Sequence, residues 1–336
     1  DANLKAAHAA FPWVVTWDDH EVENNYANKI PEKGQSVEAF VLRRAAAYQA
    51  YYEHMPLRIS SLPNGPDMQL YRHFTYGNLA SFNVLDTRQY RDDQANNDGN
   101  KPPSDESRNP NRTLLGKEQE QWLFNNLGSS TAHWNVLAQQ IFFAKWNFGT
   151  SASPIYSMDS WDGYPAQRER VINFIKSKNL NNVVVLTGDV HASWASNLHV
   201  DFEKTSSKIF GAEFVGTSIT SGGNGADKRA DTDQILKENP HIQFFNDYRG
   251  YVRCTVTPHQ WKADYRVMPF VTEPGAAIST RASFVYQKDQ TGLRKVSSTT
   301  IQGGVKQSDE VEEDRFFSHN KAHEKQMIKK RAKITN

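Results

Sequence analysis

Trp17-Asp18-Asp19-His20-Glu21 and Thr187-Gly188-Asp189-Val190-His191 are the two stretches on which the reading of this chain turns. Each follows an apolar run, Phe11 to Trp17 in the first case and Val183 to Leu186 in the second. Short apolar runs of this kind read as buried strands. A buried strand that ends in carboxylates and imidazoles is a common frame for a metal site, because the sheet is rigid and its ends supply ligands. The two runs lie about 170 residues apart. If they meet in space they offer up to four carboxylates and two imidazoles. Such a set suits hard or borderline cations working on phosphate esters.

Around these runs the chain alternates strands with helices. Residues 11–17 read as a buried strand with three aromatics and two valines. Residues 36–55 read as a helix capped by Ser36, with Val37, Phe40, Val41, Arg44, Tyr48, Tyr51 and Tyr52 at helical spacing. Leu70 to Phe74 and Leu79 to Leu85 predict a strand pair turning at Tyr76-Gly77-Asn78. Residues 92–112, rich in Asp, Asn, Pro and Ser, read as a long exposed loop. A helix over 116–127, a strand from Trp134 to Ala138, a structured loop over 145–164, a helix from Arg168 to Ser177 and a strand from Asn182 to Leu186 follow. This rhythm argues for an α/β core. From Gly250 onward Tyr251 to Val256, Trp261 to Val267 and Ala282 to Tyr286 read as antiparallel strands, which makes the class α/β passing into α+β.

Composition limits the function. The chain has 336 residues, 23% of them charged and 38% hydrophobic, which fits a globular protein with a large core. Lys plus Arg number 39 against 38 for Asp plus Glu, so no electrostatic case exists for a nucleic-acid partner. The single cysteine, Cys254, excludes an intrachain disulfide framework and reads as a core thiol in a strand. No apolar run is long enough to span a membrane. Residues 1–305 read as one catalytic domain and 306–336 as a charged helix or tail, whose His319 and His323 belong to a solvated face.

Every candidate residue also has a structural reading. Asp18 and Glu21 have the spacing of a helix capping box, which leaves Asp19, His20, Asn24 and Asn25 unexplained. Amide oxygens such as that of Asn24 are ordinary ligands for hard cations. Asp189 and His191 are two apart, so in extended backbone both point to one side. Arg88, just beyond a strand, either binds phosphate or is tied to a nearby Asp such as Asp86 or Asp92. Trp161 and Tyr164 either wall a substrate cleft or pack locally. Ser218 lacks the surroundings of a nucleophile elbow, which argues against a serine hydrolase. Gly222-Gly223 reads as a tight turn.

Six stretches in order resemble the PhoD-like alkaline phosphatases and phosphodiesterases. They are Phe11-Pro12-Trp13 through Asn25, Asn83-Val84-Leu85-Asp86-Thr87-Arg88-Gln89-Tyr90-Arg91-Asp92, Asn135-Val136-Leu137-Ala138-Gln139-Gln140, Trp161-Asp162-Gly163-Tyr164-Pro165, Leu186 through His191, and Gly216 through Gly223. The resemblance covers about residues 10 to 290. It implies a metallophosphoesterase-like sandwich of two mixed sheets flanked by helices, and hydrolysis of phosphate mono- or diesters by metal-activated hydroxide. Phospholipase D-type activity occurs among relatives and belongs to the same expectation. The implied cofactors are Ca²⁺ and Fe³⁺. The implied metal ligands are Asp18, Asp19, Asn24, Asp189 and His191, with His20 and Arg88 catalytic and Trp161 and Tyr164 binding substrate. His20 is expected to donate a proton to the leaving group, oriented by Glu21 or Asp18. Asp189 stands where the wider superfamily has an imidazole, and a carboxylate there favours Ca²⁺ over Zn²⁺.

The resemblance also implies departures. The family holds its iron on an upstream Gly-Asp-x-x-Tyr run with a cysteine nearby, and nothing before Asp18 supplies these groups. The expectation is therefore a chain without its N-terminal portion, with an incomplete iron site and with Phe11 to Trp17 left as an exposed sheet edge. The alternative to an enzyme is a metal-binding protein without turnover; an oxygenase built on two histidines and a carboxylate lacks a His-x-Asp pair here. The expected substrates are small-molecule or lipid phosphate esters. The expected location, from the resemblance alone, is secreted, periplasmic or cell-wall associated.

Overall fold

A computed structural model describes residues 1–299 except Lys33, Asp289 and Thr291. The tail over 306–336, with His319 and His323, lies outside the described residues. The elements in chain order are α1 (Ala2–Ala10), α2 (Val37–His54), β1 (Arg72–Tyr76), β2 (Ala80–Val84), β3 (Asn100–Lys101), α3 (Gly116–Ser129), β4 (Trp134–Ala138), β5 (Tyr156–Ser157), α4 (Pro165–Ser177), β6 (Val183–Thr187), β7 (Ser193–His199), β8 (Ile209–Val215), α5 (Thr232–Glu238), β9 (Ile242–Asn246), β10 (Arg249–Val256), β11 (Gln260–Met268), β12 (Ser279–Gln287) and β13 (Arg294–Ser298).

The strands form two stacked sheets. The larger has the order β1-β2-β4-β6-β8-β7-β9 and the smaller β10-β11-β12-β13, with β3 and β5 making a separate two-stranded ribbon. In the larger sheet β2, β4, β6 and β8 run parallel, while β1, β7 and β9 are antiparallel to their neighbours. The smaller sheet is antiparallel throughout, so only one of the two expected mixed sheets is mixed. Parallel strands covered on both faces read as continuous apolar runs, and Val183, Val184 and Val185 of β6 are all fully buried. One face of the larger sheet packs Leu137, Val183 and Val185 against Leu123 and Leu127 of α3 and Val171 and Ile175 of α4. The other face sets Trp134, Val136, Val184 and Phe214 against Trp261, Tyr265, Phe284 and Tyr286 of the smaller sheet. The architecture is thus a two-sheet α+β sandwich with helices laid on it.

A third cluster carries the first acidic run. Ser36 caps α2 by accepting from the Ala39 N–H at 3.2 Å. The helix then buries Phe40, Tyr48 and Tyr51 against Trp17, Val22 and Tyr26. Trp17 stacks on Tyr48 with ring centroids 4.1 Å apart, a geometry that aromatic pairs favour.

The expected strand over 11–17 is not formed. Phe11, Trp13 and Val14 are exposed and only Trp17 is buried. Pro12 removes one backbone donor. Side chains hold the segment instead of a ladder: Arg72 Nη2 donates to the Val15 carbonyl at 2.6 Å, and Thr16 Oγ1 to that of Leu85 at 3.2 Å. Residues 2–10 form a helix that periodicity did not reveal, since it buries none of its residues.

Gly211 of β8 sits where a Cβ would lie 2.4 Å from the Val183 carbonyl oxygen of β6. Glycine permits this close approach of two central strands. Gly211→Ala should lower unfolding free energy by about 2–3 kcal/mol, measured by urea denaturation; an unchanged midpoint would show that the strands separate at little cost.

Candidate active site

The two acidic runs line one cleft of 520 Å³. Asp18, Asp19, His20, Glu21, Asn24 and Asn25 come from the first, and Asp189, Val190 and His191 from the second. Asp98, Lys101, Asp159, Ser160, Phe142, Trp146 and Phe148 complete much of the wall. Among the described residues no three of Asp, Glu, His and Cys converge closely enough to hold a metal ion. The sequence expectation of a shared rim thus has its counterpart in the cleft, while a preformed cluster of ligands does not.

The first run folds as a series of turns after Trp17. The Asp18 N–H donates to Glu21 Oε2 at 2.8 Å, the return bond of a capping box without a helix behind it. Asp19 Oδ1 accepts from the His20 N–H at 2.7 Å and Oδ2 from the Asn25 N–H at 2.9 Å. Asp19 is buried and therefore shapes the loop as well as facing the cleft. The His20 ring is exposed in the cleft mouth, with Nε2 3.9 Å from Asp19 Oδ2.

The second run is not extended. Asp189 has φ 66° and His191 φ 50°, so both occupy the left-handed region. The alternation that would put both side chains on one side does not apply there. Such backbone costs of order 1–3 kcal/mol per residue and persists where surroundings hold it. Here the holding group is Arg249, a buried residue opening β10. Its Nη1 donates to the His191 carbonyl at 2.7 Å, Ser218 Oγ at 2.7 Å and the Ser221 carbonyl at 2.6 Å. Thr217 Oγ1 donates to the same His191 carbonyl at 3.1 Å. The Gly216–Gly223 segment therefore serves as a brace for the His191 turn.

Arg88 is not among the residues that line the cleft. It is fully buried, with Nη1 and Nη2 donating to Asp159 Oδ1 and Oδ2 at 2.7 and 2.6 Å, and Nε to Asp18 Oδ1 at 2.6 Å. Its ion-pair partners are Asp18 and Asp159 and not the nearby Asp86 or Asp92. The Asp86 carboxylate instead accepts the Arg88 and Gln89 N–H groups, each at 3.0 Å, and so shapes the loop that aims the guanidinium. Arg91 Nη1 and Gln94 Nε2 also reach Asp159 Oδ1, at 2.5 and 2.6 Å. Arg88 is thus a positioning residue for Asp18. Trp161 and Tyr164 are likewise core residues, not cleft walls. Trp161 Nε1 donates to Gln139 Oε1 at 3.1 Å and Tyr164 Oη to the Asp92 carbonyl at 2.6 Å. Both polar tips find partners inside, so the rings need no solvent-facing edge.

The aromatic wall is Phe142, Trp146 and Phe148; the last two lie in the loop over 145–164 read as structured, without these roles, and Phe142 lies just before it. Trp146 and Phe148 stack at 4.3 Å. Asp159, Asp98 and Lys101 were missed for a common reason. Asp98 and Lys101 lie in the stretch over 92–112 read as an exposed loop and Asp159 in the loop over 145–164, and only chain closure brings them to the cleft.

The electrostatics follow from burial first and from crowding of like charges second. Burial pushes the Asp18 carboxyl up to about 6; Arg88 opposes this and Asp19 adds to it. Asp189 is exposed into the cleft yet ringed by protein, and desolvation followed by Asp18 and Asp19 holds it well above the usual carboxylate range. Asp159 goes the other way: burial raises it, but Arg88 and Arg91 outweigh burial and hold it low. Beneath the floor, Glu213 of β8 accepts from the Phe143 and Ala144 N–H groups, each at 2.8 Å, and from Thr187 Oγ1 at 2.6 Å. Burial, outweighing these donors, pushes its carboxyl up to about 7.

Two stability effects follow. Arg88→Ala leaves Asp18 and Asp159 without their shared cation and should cost about 3–5 kcal/mol in chemical denaturation; a loss below about 1 kcal/mol would show that the pair is dispensable. Burial raises the Glu213 carboxyl in the folded state, so its contribution is full below the ordinary 4.5 and is lost as pH rises through about 7. The melting temperature of the native chain should fall over this window more steeply than that of Glu213→Gln, by the equivalent of about 3 kcal/mol.

A model of the PhoD-like phosphatase family matches residues 1–265. That span contains both acidic runs, the Arg88–Asp159 pair, the aromatic wall and the Arg249 brace. The members of this family are hydrolases of phosphoesters. By this match over most of its length, the chain belongs to the PhoD-like phosphatase family.

Proposed function

We propose that this chain hydrolyses phosphate mono- or diesters in the cleft shared by the two acidic runs, with a bound hard cation. The observation that carries the reading is the unbalanced charge there. Asp18, Asp19, Asp98, Asp159 and Asp189 line one cleft, and the buried guanidinium of Arg88 bonds only Asp18 and Asp159 among them. Burial first and the neighbouring acids second raise the carboxyls of Asp18 and Asp189, so their charged forms lack compensation in the cleft. A phosphate ester brings more negative charge, which such a cleft tolerates once a cation is present.

The oxygen-rich donors fit Ca²⁺ in chemistry. Asp18, Asp19, Asn24, Asp189 and His191 are the residues proposed to hold it, and no coordination geometry follows from their placement. When bound, the cation would neutralise the carboxylates, draw charge from the phosphoryl oxygens and lower the pKa of a bound water. Fe³⁺ does not fit the same way. No thiol or phenol lines the cleft among the described residues, and Cys254 lies on β10 of the smaller sheet. No step is assigned to iron.

The chain's own residues account for the rest. His20, exposed at the mouth with Nε2 3.9 Å from Asp19 Oδ2, is the proposed proton donor to the leaving alkoxide. Arg88 fixes Asp18, and Arg249 fixes the backbone of His191. The family supports small-molecule phosphates as substrates. A phospholipase D-type reaction and a secreted, periplasmic or cell-wall location remain part of the proposal and rest on the same resemblance. Among the described residues no helix is long and apolar enough to cross a membrane.

A second reading, a metal-binding protein without turnover, is favoured by the missing thiol and phenol donors. Hydrolysis of p-nitrophenyl phosphate and its bis ester, with chelation and Ca²⁺ add-back, separates the two: turnover of neither removes the enzymatic reading. His20→Ala should lower kcat by about 10²–10⁴-fold for an alkyl ester and much less for a p-nitrophenyl ester, whose leaving group needs no proton. Equal losses on both would remove His20 as acid. Asp189→His should shift the preferred metal from Ca²⁺ towards Zn²⁺ or Mn²⁺, and an unchanged metal profile would remove Asp189 as a ligand.

A further inference from the structure

The side of the cleft formed by the β3–β5 ribbon differs in chemistry from the acidic side. Asn100, Lys101 and Ser157 all line the cleft from this ribbon. Asn100 pairs with Ser157 across the two strands, and directly opposed residues present their side chains on one face. Lys101 is next along and exposed. Among the described residues it has no carboxylate within ion-pair distance, although acids line the same cleft. Arginines elsewhere around the site are bound into carboxylate pairs, as Arg88 and Arg91 are to Asp159. Lys101 is the one Lys or Arg among the described residues that line the cleft.

The ribbon is held in place by its own framework. Asn96, Asn97, Asp98 and Gly99 are four consecutive residues with φ of 57°, 58°, 64° and 79°. Three non-glycine residues in the left-handed region cost free energy and need surroundings that enforce them. Asn96 is fixed by its N–H donating to Glu106 Oε2 at 3.0 Å and by Ser104 Oγ donating to its Oδ1 at 2.6 Å. Asn25 Nδ2 donates to Asp98 Oδ2 at 2.7 Å, which ties the ribbon to the first acidic run. The Met158 N–H donates to the Gly99 carbonyl at 3.0 Å, which closes the ribbon on its other strand.

We propose that this rim anchors the non-bridging oxygens of the substrate phosphate, and that Lys101 favours a dianionic monoester over a monoanionic diester. The amide of Asn100 and the hydroxyl of Ser157 are donors suited to phosphate oxygens, and the ammonium of Lys101 is a point charge for them. A second negative charge on the substrate roughly doubles its attraction to that ammonium. The aromatic side, Phe142, Trp146 and Phe148, then receives the organic part of the ester. The inference rests on the hydrolytic reading given above and deepens it.

The test compares native protein, Lys101→Ala, Lys101→Arg and Lys101→Glu on p-nitrophenyl phosphate and on bis-p-nitrophenyl phosphate, each with Ca²⁺. Lys101→Ala should lower kcat/KM about tenfold for the monoester and about threefold for the diester, mainly through KM, with Lys101→Arg near native and Lys101→Glu lower still. Raising ionic strength should narrow the gap between native and Lys101→Ala. Equal losses on the two esters, or none, overturn the proposed preference. Binding of inorganic phosphate by calorimetry is read on the same proteins. If the native chain hydrolyses neither ester, the hydrolytic reading fails, and about tenfold weaker phosphate binding by Lys101→Ala still supports the anchor. Native protein that binds no phosphate, or binds it as Lys101→Ala does, overturns the rim itself.

Discussion

The fork of Arg88 between Asp159 and Asp18 is the constraint on which the site depends. A planar guanidinium can hold two carboxylates at once in fixed directions, which an ammonium cannot. Its bidentate face takes Asp159 and its Nε takes Asp18, from a position with no solvent contact. Three segments distant in sequence are thereby locked: the turn after Trp17, the loop after β2 and the loop before α4. A buried charge that lost either partner would be far more costly than any of the hydrogen bonds around it. Of the two acids, Asp18 is bonded through one oxygen and its carboxyl is raised, whereas Asp159 takes both guanidinium nitrogens and is held low.

A second device joins the halves of the cleft. Gln140, just beyond β4, donates through Nε2 to Thr16 Oγ1 at 2.7 Å and to the Leu85 carbonyl at 2.8 Å. Its Oε1 accepts from Thr87 Oγ1 at 2.8 Å, and its backbone carbonyl accepts from the Gly188 N–H at 2.9 Å. One residue thus bonds the segment before Asp18, the loop carrying Arg88 and the turn carrying Asp189. Buried amides of this kind are stable only when all their groups are paired. Gln140 meets that condition through neighbours that are themselves parts of the site.

How much of this was legible in the sequence depends on where each signal resides. Trp134 to Ala138 and Val183 to Val185 announced central strands because burial on both faces leaves no alternation to misread. Ser36 announced a helix start through a bond to its own third neighbour. Local signals of that type carry over well. Phe11 to Trp17 carried the same apolar signature as a strand, yet strand formation needs a partner, and the segment is held by side chains of Arg72 and Thr16 instead. Asp189 and His191 were picked out correctly as cleft residues for a mistaken reason, since their backbone is left-handed and not extended. Arg88 offered two acids nearby in sequence, and the fold chose Asp18 and Asp159, 70 and 71 residues away. Asp98, Lys101 and Phe148 gave no signal, because a polar or mixed loop has the same composition whether it faces water or a cleft.

The separation of the two runs has a consequence for how the chain reaches this state. Asp18 and Asp189 become neighbours only after β2, β4, β6 and β8 have assembled side by side, and these parallel pairings join distant segments. Long-range closure of this kind is entropically costly and sets a slow folding rate. The carboxylates brought together last repel one another, so the final approach is made against a rising electrostatic barrier. Divalent cations in the folding medium would lower that barrier and stabilise the assembled cleft in the same act. The cleft is thus a part of the molecule whose closure depends on long-range pairings and on the ions present while it forms.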